Sequence, residues 1–289
     1  MAQDEFNDRH VSYVMRKIII KLFPKLGLQL LYLKTFKKFY NIKKPKTIYE
    51  KLIWLNFNST NVARSMVADK YLVRRYLKDI HLDKYLNKLY GVYNNANEIN
   101  FEKLPNQFIL KCTHGARYNI VCKNKSELDI QKTITTLNKW LKEDYSLYYA
   151  ELHYRYIDRK IICEKYLGDN IPDYKIYCFN GKPTYIMVCQ NRIKKDIKYY
   201  FYTFDWEYKH FLKEDLKDPH IQKPTNLKEI YDFSYKLADE FEFVRVDMYI
   251  VEGKIVFGEL TITPSGFLDN QTLPEINIKM GQMLNINIK

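Results

Sequence analysis

The chain has 289 residues, which is long enough for one large domain or for two lobes with a sizeable core. With 46% hydrophobic and 28% charged residues, its composition is that of an ordinary soluble globular protein and excludes classes defined by strong compositional bias. The 47 Lys and Arg residues outnumber the 34 Asp and Glu residues, and the net charge of +13 favours anionic partners such as nucleotides, acidic sugars, nucleic acid or a membrane surface.

The N-terminal region lacks the features of a signal peptide and of a membrane span. The acidic start, residues 1–8, has neither a basic segment nor an apolar core. Residues 15–32 are apolar but interrupted by Lys21, Pro24 and Lys25, so they cannot comfortably cross a bilayer. Two interpretations remain for them: helices packed on their own domain, the commoner outcome, or a basic amphipathic helix pair on an anionic membrane. We therefore expect a cytoplasmic protein, with peripheral contact at the inner face of the membrane as the alternative.

The hydrophobic periodicity divides the chain into a helical front, residues 1 to about 90, and a strand-rich remainder. Helices are predicted at 47–55, at 67–77, at 126–140 with Ser126 as the cap, at about 227–241 and at 273 to about 284. Strands are predicted at 88–93, 108–112, 160–163, 175–179, 184–188 and 198–204, followed by a hairpin after residue 243. This mixture predicts an α+β fold with a mostly antiparallel sheet behind the helices.

The cysteines and histidines give no sign of a disulfide framework or a zinc site. Five cysteines are scattered without a CxxC pair and lie mostly in apolar strand-like runs, which indicates reduced thiols in a cytosolic core. Six histidines are present, but they are not grouped near the cysteines, which argues against zinc.

The C-terminal hairpin carries the most informative acidic pair. A three-residue loop, Val251 to Gly253, would pair Arg245 with Glu259 and Asp247 with Phe257. Strand alternation then puts these four residues on one face, together with Tyr249, Thr261 and Thr263. Two neighbouring carboxylates need a cation or a proton, so the face is either a divalent-metal site or an Arg-Glu ion pair beside a solvated Asp. The Thr-Pro-Ser-Gly turn at 263–266 brings the backbone back over the acidic face and favours the metal site.

Several basic and acidic residues end apolar strands upstream of the hairpin. Lys111 lies in an apolar strand before the loop His114-Gly115-Ala116-Arg117. If its ammonium group is buried, it needs an anion as a partner. The alternative is that the side chain extends to the solvent at the end of the strand. Glu164 ends the strand at 161–163. Lys175 shares a strand face with Asp173, and Arg192 ends the paired strand; a solvated sheet surface is the alternative explanation for both cations.

These motifs, in this order, resemble the ATP-grasp ligases. Arg-x-Asp, a hairpin and Glu-x-Thr-x-x-Pro-x-Gly are similar to the metal-binding end of that superfamily, with Thr261 at the position where Asn is usual. A hydroxyl is a weaker ligand than an amide oxygen but still binds magnesium. From about residue 49 to Gly266 the chain resembles the TupA-like branch, which is encoded with bacterial surface-polysaccharide genes; the matching stretches are 68–71, 89–93, 104–115, 173–175, 204–206 and the hairpin.

The resemblance implies a fold of two α+β lobes that clasp ATP, with a helical N-terminal region. It divides the chain into the helical region 1–90, a lobe at 91–170 with the phosphate loop and adenine hinge, and a C-lobe at 171–289 with the metal site. ATP would be held by Lys111, His114, Gly115, Arg117, Glu164, Lys165, Tyr166, Leu167 and Asp169. Lys175 and Arg192 would face the γ-phosphate, Arg245 would neutralise the transferring phosphoryl group, and Asp247, Glu259 and Thr261 would bind one or two Mg2+ ions.

The expected function is that of an ATP-dependent carboxylate-amine ligase working through an acyl-phosphate. The resemblance does not fix the substrate, but the basic surface fits an acidic acceptor, so we expect an amide between an amino acid or amine and an acidic sugar or glycan precursor, in capsule or other surface-polysaccharide biosynthesis. Alternatives are a kinase or phosphotransferase of the same pathway, or a glycosyltransferase, for which Asp205 beside Trp206 is the sole hint. A non-catalytic nucleic-acid or membrane-surface binder is a further alternative, although binding an anion gains nothing from paired acids, so nucleic acid is not an expected partner.

Overall fold

The computed structural model describes residues 10–190, 197–214, 217 and 220–287 and has an α+β fold, as predicted. Within these residues five α-helices precede the first strand: α1 His10–Leu22, α2 Pro24–Phe36, α3 Ile48–Asn58, α4 Asn61–Ala68 and α5 Leu72–Asp79. The remaining helices are α6 Ile130–Lys142, α7 Ser146–Tyr149, α8 Leu227–Ala238 and α9 Pro274–Met283. The strands are β1 Leu89–Tyr93, β2 Phe108–Cys112, β3 Asn119–Cys122, β4 Ile161–Lys165, β5 Asp173–Phe179, β6 Lys182–Gln190, β7 Lys198–Tyr202, β8 Tyr208–Lys209, β9 Phe243–Val251 and β10 Lys254–Thr261.

Two helix predictions need correction because Asp side chains start new turns. The helix predicted at 67–77 is divided between α4 and α5, where the Asp69 carboxylate accepts hydrogen bonds from the Tyr71 and Leu72 amides at 2.7 and 3.1 Å. The cap predicted at Ser126 is wrong, because α6 begins at Ile130 and Asp129 accepts from the Lys132 amide at 2.8 Å. In both places the Asp carboxylate satisfies amides that lack a helical partner.

The smaller sheet has four antiparallel strands in the order β1-β4-β2-β3. The strand β3, which was not predicted, pairs with β2 after the loop at 113–118. Helix α6 closes one side through Leu137, which is fully buried with Phe108 and Leu110. The sheet therefore holds Lys111 and Glu164, on β2 and β4, as neighbours.

The larger sheet has six antiparallel strands in the order β10-β9-β5-β6-β7-β8. One face packs against α8 and the α4-α5 segment, with Ile176, Val246 and Phe233 in its core. The opposite face packs against α3 and α9 through Tyr177 and Phe243. On this second face, β5 and β9 carry aromatic side chains at one end and buried charged side chains at the other. The charged residues are Asp173, Lys175, Arg245 and Asp247.

The hairpin between β9 and β10 differs in detail from its prediction. Its loop has two residues, because Glu252 and Gly253 take left-handed φ values of 51° and 74° and Lys254 pairs with Val251. A bulge between Phe257 and Glu259 then shifts the register by one residue.

The shift changes which residues face one another across the hairpin. Asp247 pairs with Glu259 and Arg245 with Thr261, so the predicted Arg245-Glu259 and Asp247-Phe257 pairs are wrong. Phe257 lies opposite Met248 in the core rather than on the polar face. Relative to the prediction, the shorter loop turns the side chains of β10 to the opposite face of the sheet. The bulge reverses this change for the residues after it, so Asp247 and Glu259 still share a face.

The structure also bears on the predictions for the cysteines and for the apolar segment 15–32. All five cysteines are buried, as predicted for core thiols. Residues 15–32 lie in the helices α1 and α2, which are joined at Phe23. Among the helices that the structure describes, none is long and apolar enough to cross a membrane.

Candidate functional site: an acidic hairpin beside a cationic crevice

Asp247 is the centre of a buried charge cluster on β9 and β5. The guanidinium of Arg245 donates to both carboxylate oxygens of Asp247, at 2.6 and 2.7 Å, and the Lys175 ammonium donates to Oδ2. Lys175 also lies 2.9 Å from the carboxylate of Asp173. Burial alone would raise the pKa of Asp247, but Arg245 and Lys175 reverse this effect and hold it below its usual value. Asp247 is therefore ionised at neutral pH.

Glu259 and Thr261 complete the polar face from β10. The Thr261 hydroxyl accepts a hydrogen bond from Arg245 at 3.1 Å and donates to Glu259 at 3.3 Å. Glu259 is half-buried, and its Cα partner across the hairpin is Asp247. The structure thus brings Arg245, Asp247, Glu259 and Thr261 together.

The donor set fits a magnesium ion, with a small number of protein ligands. A carboxylate offers about four lone-pair positions, and Asp247 uses three of them, leaving one on Oδ1. Glu259 accepts one weak contact and keeps the rest of its capacity. Among the described residues no group of three or more His, Cys, Asp or Glu side chains is suited to a metal. The ligands available at the hairpin are the two carboxylates of Asp247 and Glu259 and the hydroxyl of Thr261. Mg2+ commonly takes so few protein ligands when phosphates and waters supply the others.

A narrow crevice lies beside the hairpin and gathers three cations. It is lined by Lys70, Arg74, Lys111, Ile162 and Glu164, together with Phe257 and Gly258 of β10. Glu164 is held between two of them: Lys111 lies 2.8 Å from Oε2 and Arg74 lies 2.8 Å from Oε1. The smaller sheet, the α4-α5 segment and the acidic hairpin therefore meet at one place.

Lys70 and Arg74 are functional candidates that the sequence prediction missed. The Lys70 ammonium donates to the Gly115 carbonyl at 2.5 Å, which ties the α4-α5 junction to the loop after β2. Burial lowers the pKa of Lys70, and nearby Glu259 partly offsets that effect. A signal existed in the basic residue within Asp69-Lys70-Tyr71, but helical periodicity alone assigns it to a solvated face.

The loop at 114–117 does not present all of its predicted residues to the crevice. His114 is buried, its ring nitrogen Nε2 lies 3.1 Å from the Trp140 carbonyl, and burial lowers its pKa to about 4. A side chain at Gly115 would collide with the Tyr145 ring. Arg117 is exposed and has a left-handed φ of 66°. His114 therefore packs the loop, and Gly115 contributes a carbonyl rather than a set of amides.

Several polar groups of the predicted adenine hinge already form hydrogen bonds within the protein. The Lys165 amide donates to the Lys88 carbonyl at 2.9 Å, and the Lys165 carbonyl accepts from Asn87 at 2.8 Å. Tyr166 donates to the exposed Asp169, which lies 2.7 Å from Lys123. Leu167 follows as a half-buried residue, and the predicted Arg192 lies outside the described residues.

Glu151 is a further buried carboxyl group, close to the turn that follows β10. Glu151 accepts a hydrogen bond from the hydroxyl of Thr263, in the turn after β10, and burial raises the pKa of Glu151 to about 7. Tyr154 is half-buried nearby, within electrostatic reach of Glu151, Glu259 and Arg245. In contrast, Trp206 has a structural role, because its ring stacks on Tyr202 and its indole N–H donates to the Ile221 carbonyl at 2.7 Å.

Known structures share similarity with this chain at low sequence identity. A D-alanine–D-alanine ligase from Bacillus anthracis complexed with ATP is 16% identical over 76% of this chain and 62% of its own, with a TM-score of 0.49. An L-amino acid ligase from Bacillus licheniformis is 10% identical over 90% of this chain and 57% of its own, with a TM-score of 0.48. An N5-carboxyaminoimidazole synthetase from Staphylococcus aureus complexed with ADP is 14% identical over 83% and 51%, with a TM-score of 0.44. The chain thus spans less than two thirds of the length of these structures.

The family comparison covers most of the chain. No curated protein matches the sequence. The model of the TupA-like ATP-grasp proteins matches residues 50–285, from α3 to the end of α9, and so includes both sheets, the crevice and the hairpin. The chain belongs to the TupA-like ATP-grasp family.

Proposed function

We propose that this protein is an ATP-dependent carboxylate-amine ligase. The observation that carries the proposal is the crevice in which Lys70, Arg74 and Lys111 lie beside β10 of the acidic hairpin. Cations neutralise phosphate oxygens, and paired carboxylates offer oxygens to a magnesium ion that ATP brings with it. Membership of an ATP-grasp family supports the same interpretation. The division into a helical region 1–90, a lobe 91–170 and a C-lobe 171–289 is part of this proposal.

The three cations would bind the phosphates, and Asp247, Glu259 and Thr261 would hold Mg2+. When bound, the ion supplies charge neutralisation for the β- and γ-phosphates. Lys175 would turn from Asp247 towards the γ-phosphate. The crevice is smaller than the roughly 300–1,000 Å3 of ordinary ligand pockets, so binding requires Glu164 to release a cation and the lining groups to move apart.

The proposed reaction has two steps. The substrate carboxylate attacks the γ-phosphorus of ATP, forming an acyl-phosphate, and ADP leaves. An amine then attacks the acyl carbon, and inorganic phosphate leaves with the electron pair of the broken C–O bond while the amine loses a proton. Arg245 would stabilise the transferring phosphoryl group and then the oxyanion of the tetrahedral intermediate. The proposed product is an amide between an amino acid or amine and an acidic sugar in bacterial capsule or surface-polysaccharide biosynthesis, and the net charge of +13 suits the acidic partner.

The test is turnover of Mg-ATP with a panel of uronic acids and amino acids, read as ADP, phosphate and the mass of the coupled product. An amide supports the ligase, whereas ADP with a phosphorylated hydroxyl identifies a kinase. Asp247→Asn and Glu259→Gln are expected to lower turnover by at least about 100-fold, because each removes a charged ligand. The matched control is Glu252→Gln, at the exposed turn of the same hairpin. Unchanged turnover in both Asp247→Asn and Glu259→Gln would show that the metal assignment is wrong.

A further inference from the structure

The N-terminal helix pair exposes an unusual number of large apolar side chains. On α1 and its junction with α2 these are Val14, Met15, Ile18, Leu22 and Phe23, which are between 45% and 63% exposed. On α2 and the segment after it they are Leu26, Leu30 and Phe39, which are between 46% and 64% exposed. We call these eight residues the apolar ridge. Soluble proteins rarely place so many large apolar side chains side by side in water without a partner.

The ridge lies on the outer faces of both helices. Along α1, Met15, Ile18 and Leu22 recur at spacings of three and four, and the buried Ile20 lies on the opposite side. Along α2, Leu26 and Leu30 are four residues apart, while Leu28 and Tyr32 are buried against the rest of the protein. Each helix therefore has one face that packs on the protein and one apolar face that points away from it.

The two helices pack closely on each other and on the rest of the protein in this orientation. Gly27 passes so close to Ile20 that a side chain at position 27 would collide with it. The Lys17 ammonium lies 4.5 Å from the ring centroids of Tyr13 and of Tyr148 on α7. The Tyr40 hydroxyl donates to the Lys25 carbonyl at 2.7 Å. The ridge is thus a preformed surface rather than an exposed side of an unpacked segment.

Every formally charged side chain in the α1-α2 segment, residues 10–46, is positive. Between residues 10 and 46 the sequence contains ten Lys and Arg residues and no Asp or Glu, so this segment supplies most of the net charge of +13. Lys21 and Lys25 flank the ridge, Lys34 lies in the last turn of α2, and Lys37 and Lys38 follow the end of that helix. Within the described part of the chain none of these ten side chains forms an ion pair. Eight of the ten side chains are exposed and can meet an external anion, whereas Arg16 and Lys17 are half-buried.

From this geometry we propose that the α1-α2 pair docks the protein on an anionic lipid surface. A bilayer offers both features that the surface requires, an apolar layer for the ridge and negative headgroups for the lysines. A second copy of the chain would bring ten like charges against ten, which opposes association. A nucleic acid would satisfy the lysines but would leave the ridge in water. Neither helix spans a bilayer, so docking is peripheral.

The test is co-flotation of the full chain with vesicles. The wild-type protein is expected to float with equimolar phosphatidylglycerol and phosphatidylcholine, not with phosphatidylcholine alone, and less in high salt. Lys21→Glu with Lys25→Glu should lower the partition coefficient at least about tenfold for each site. Leu22→Ser with Leu26→Ser should lower it several-fold in all, because less apolar surface enters the lipid.

Matched variants separate docking from general effects of charge or exposure. Two control variants should float like the wild type. One combines Lys132→Glu with Lys139→Glu on the exposed side of α6, and the other is Val62→Ser, which removes an exposed apolar side chain outside the ridge. Equal flotation of the Leu22/Leu26 variant and the wild type would overturn the proposal, as would absence of wild-type binding to anionic vesicles. A dimer in solution that the leucine substitutions convert to a monomer would instead assign the ridge to contact between copies. Circular dichroism checks that every variant keeps its helices.

Discussion

Glu151 is the residue whose ionisation is expected to control stability near neutral pH. It is buried, its one described side-chain hydrogen bond comes from Thr263, and its pKa is raised from 4.5 to about 7 by burial. A carboxyl group with a raised pKa binds its proton more tightly in the folded than in the unfolded protein. Its contribution to stability is therefore fully present below pH 4.5 and is lost as the pH rises to about 7.

Relative to the wild type, Glu151→Gln is expected to have a higher free energy of unfolding at pH 8 than at pH 5. Glutamine keeps an acceptor for the Thr263 hydroxyl and carries no charge, so it avoids the cost of ionising a buried group. The difference in the free energy of unfolding between variant and wild type should increase by up to about 3 kcal/mol across this range. Urea denaturation at both pH values measures it, with the exposed Glu240→Gln as the control. A difference that does not change with pH would show that Glu151 is already ionised at pH 5.

At the same scale, the sequence predicted the hairpin residues better than the residues of the crevice. Arg245, Asp247, Glu259 and Thr261 are close along two paired strands, so strand alternation and one assumption about the loop length place them on one face. Lys70 and Arg74 are brought to Lys111 and Glu164 by tertiary packing across about 40 to 90 residues, which no local pattern encodes. His114 follows Lys111 in a turn, and its burial against Trp140 depends on α6, which lies later in the chain.

The element that positions the acids is the bulge in β10. With the observed two-residue loop and no bulge, Glu259 would fall on the core face opposite its present side. The sequence prediction assumed a loop one residue too long and no bulge. The extra loop residue shifts the strand pairing by one position, as the bulge does, so Glu259 is predicted on the correct face. The bulge occurs at Gly258, where the two strands approach closely: a Cβ atom there would lie 2.9 Å from the Asp247 carbonyl oxygen.

Gly258→Ala is therefore expected to damage the site more than a glycine replacement at the turn. The added methyl group must displace β9 at Asp247, so the free energy of unfolding should fall by about 1–3 kcal/mol. ATP turnover should fall further than stability explains, because Asp247 and Glu259 lose their relative position. Gly253→Asn is the control: nothing lies within 4 Å of its Cβ position, and asparagine tolerates the left-handed φ of 74°. Equal turnover in the two variants at a temperature where both are folded would show that the bulge does not set the geometry of the site.

At the scale of the whole molecule, composition and periodicity predicted the α+β class and most strands but not how the two sheets meet. The crevice depends on the α4-α5 segment, whose Val67, Val73 and Leu77 pack on the core of the larger sheet. That packing carries Lys70 and Arg74 to the edge of the smaller sheet. The segment therefore connects the parts of the chain that would enclose a nucleotide, and ligand binding is expected to stabilise the entire molecule.

Mg-ATP is expected to raise the free energy of unfolding by about 2.7 kcal/mol at 100 times its dissociation constant, because it binds the folded chain alone. ATP with excess EDTA should give much less, since the phosphates would then face Asp247 and Glu259 without a cation between them. Arg74→Gln should weaken the effect, because Arg74 lines the crevice, whereas Arg75→Gln should preserve it, because Arg75 is exposed and contacts Asp79 on its own helix. Thermal or urea unfolding with and without ligand measures each case. Equal stabilisation with and without magnesium would place the nucleotide away from the acidic hairpin, and equal responses of the two arginine variants would place it away from the crevice.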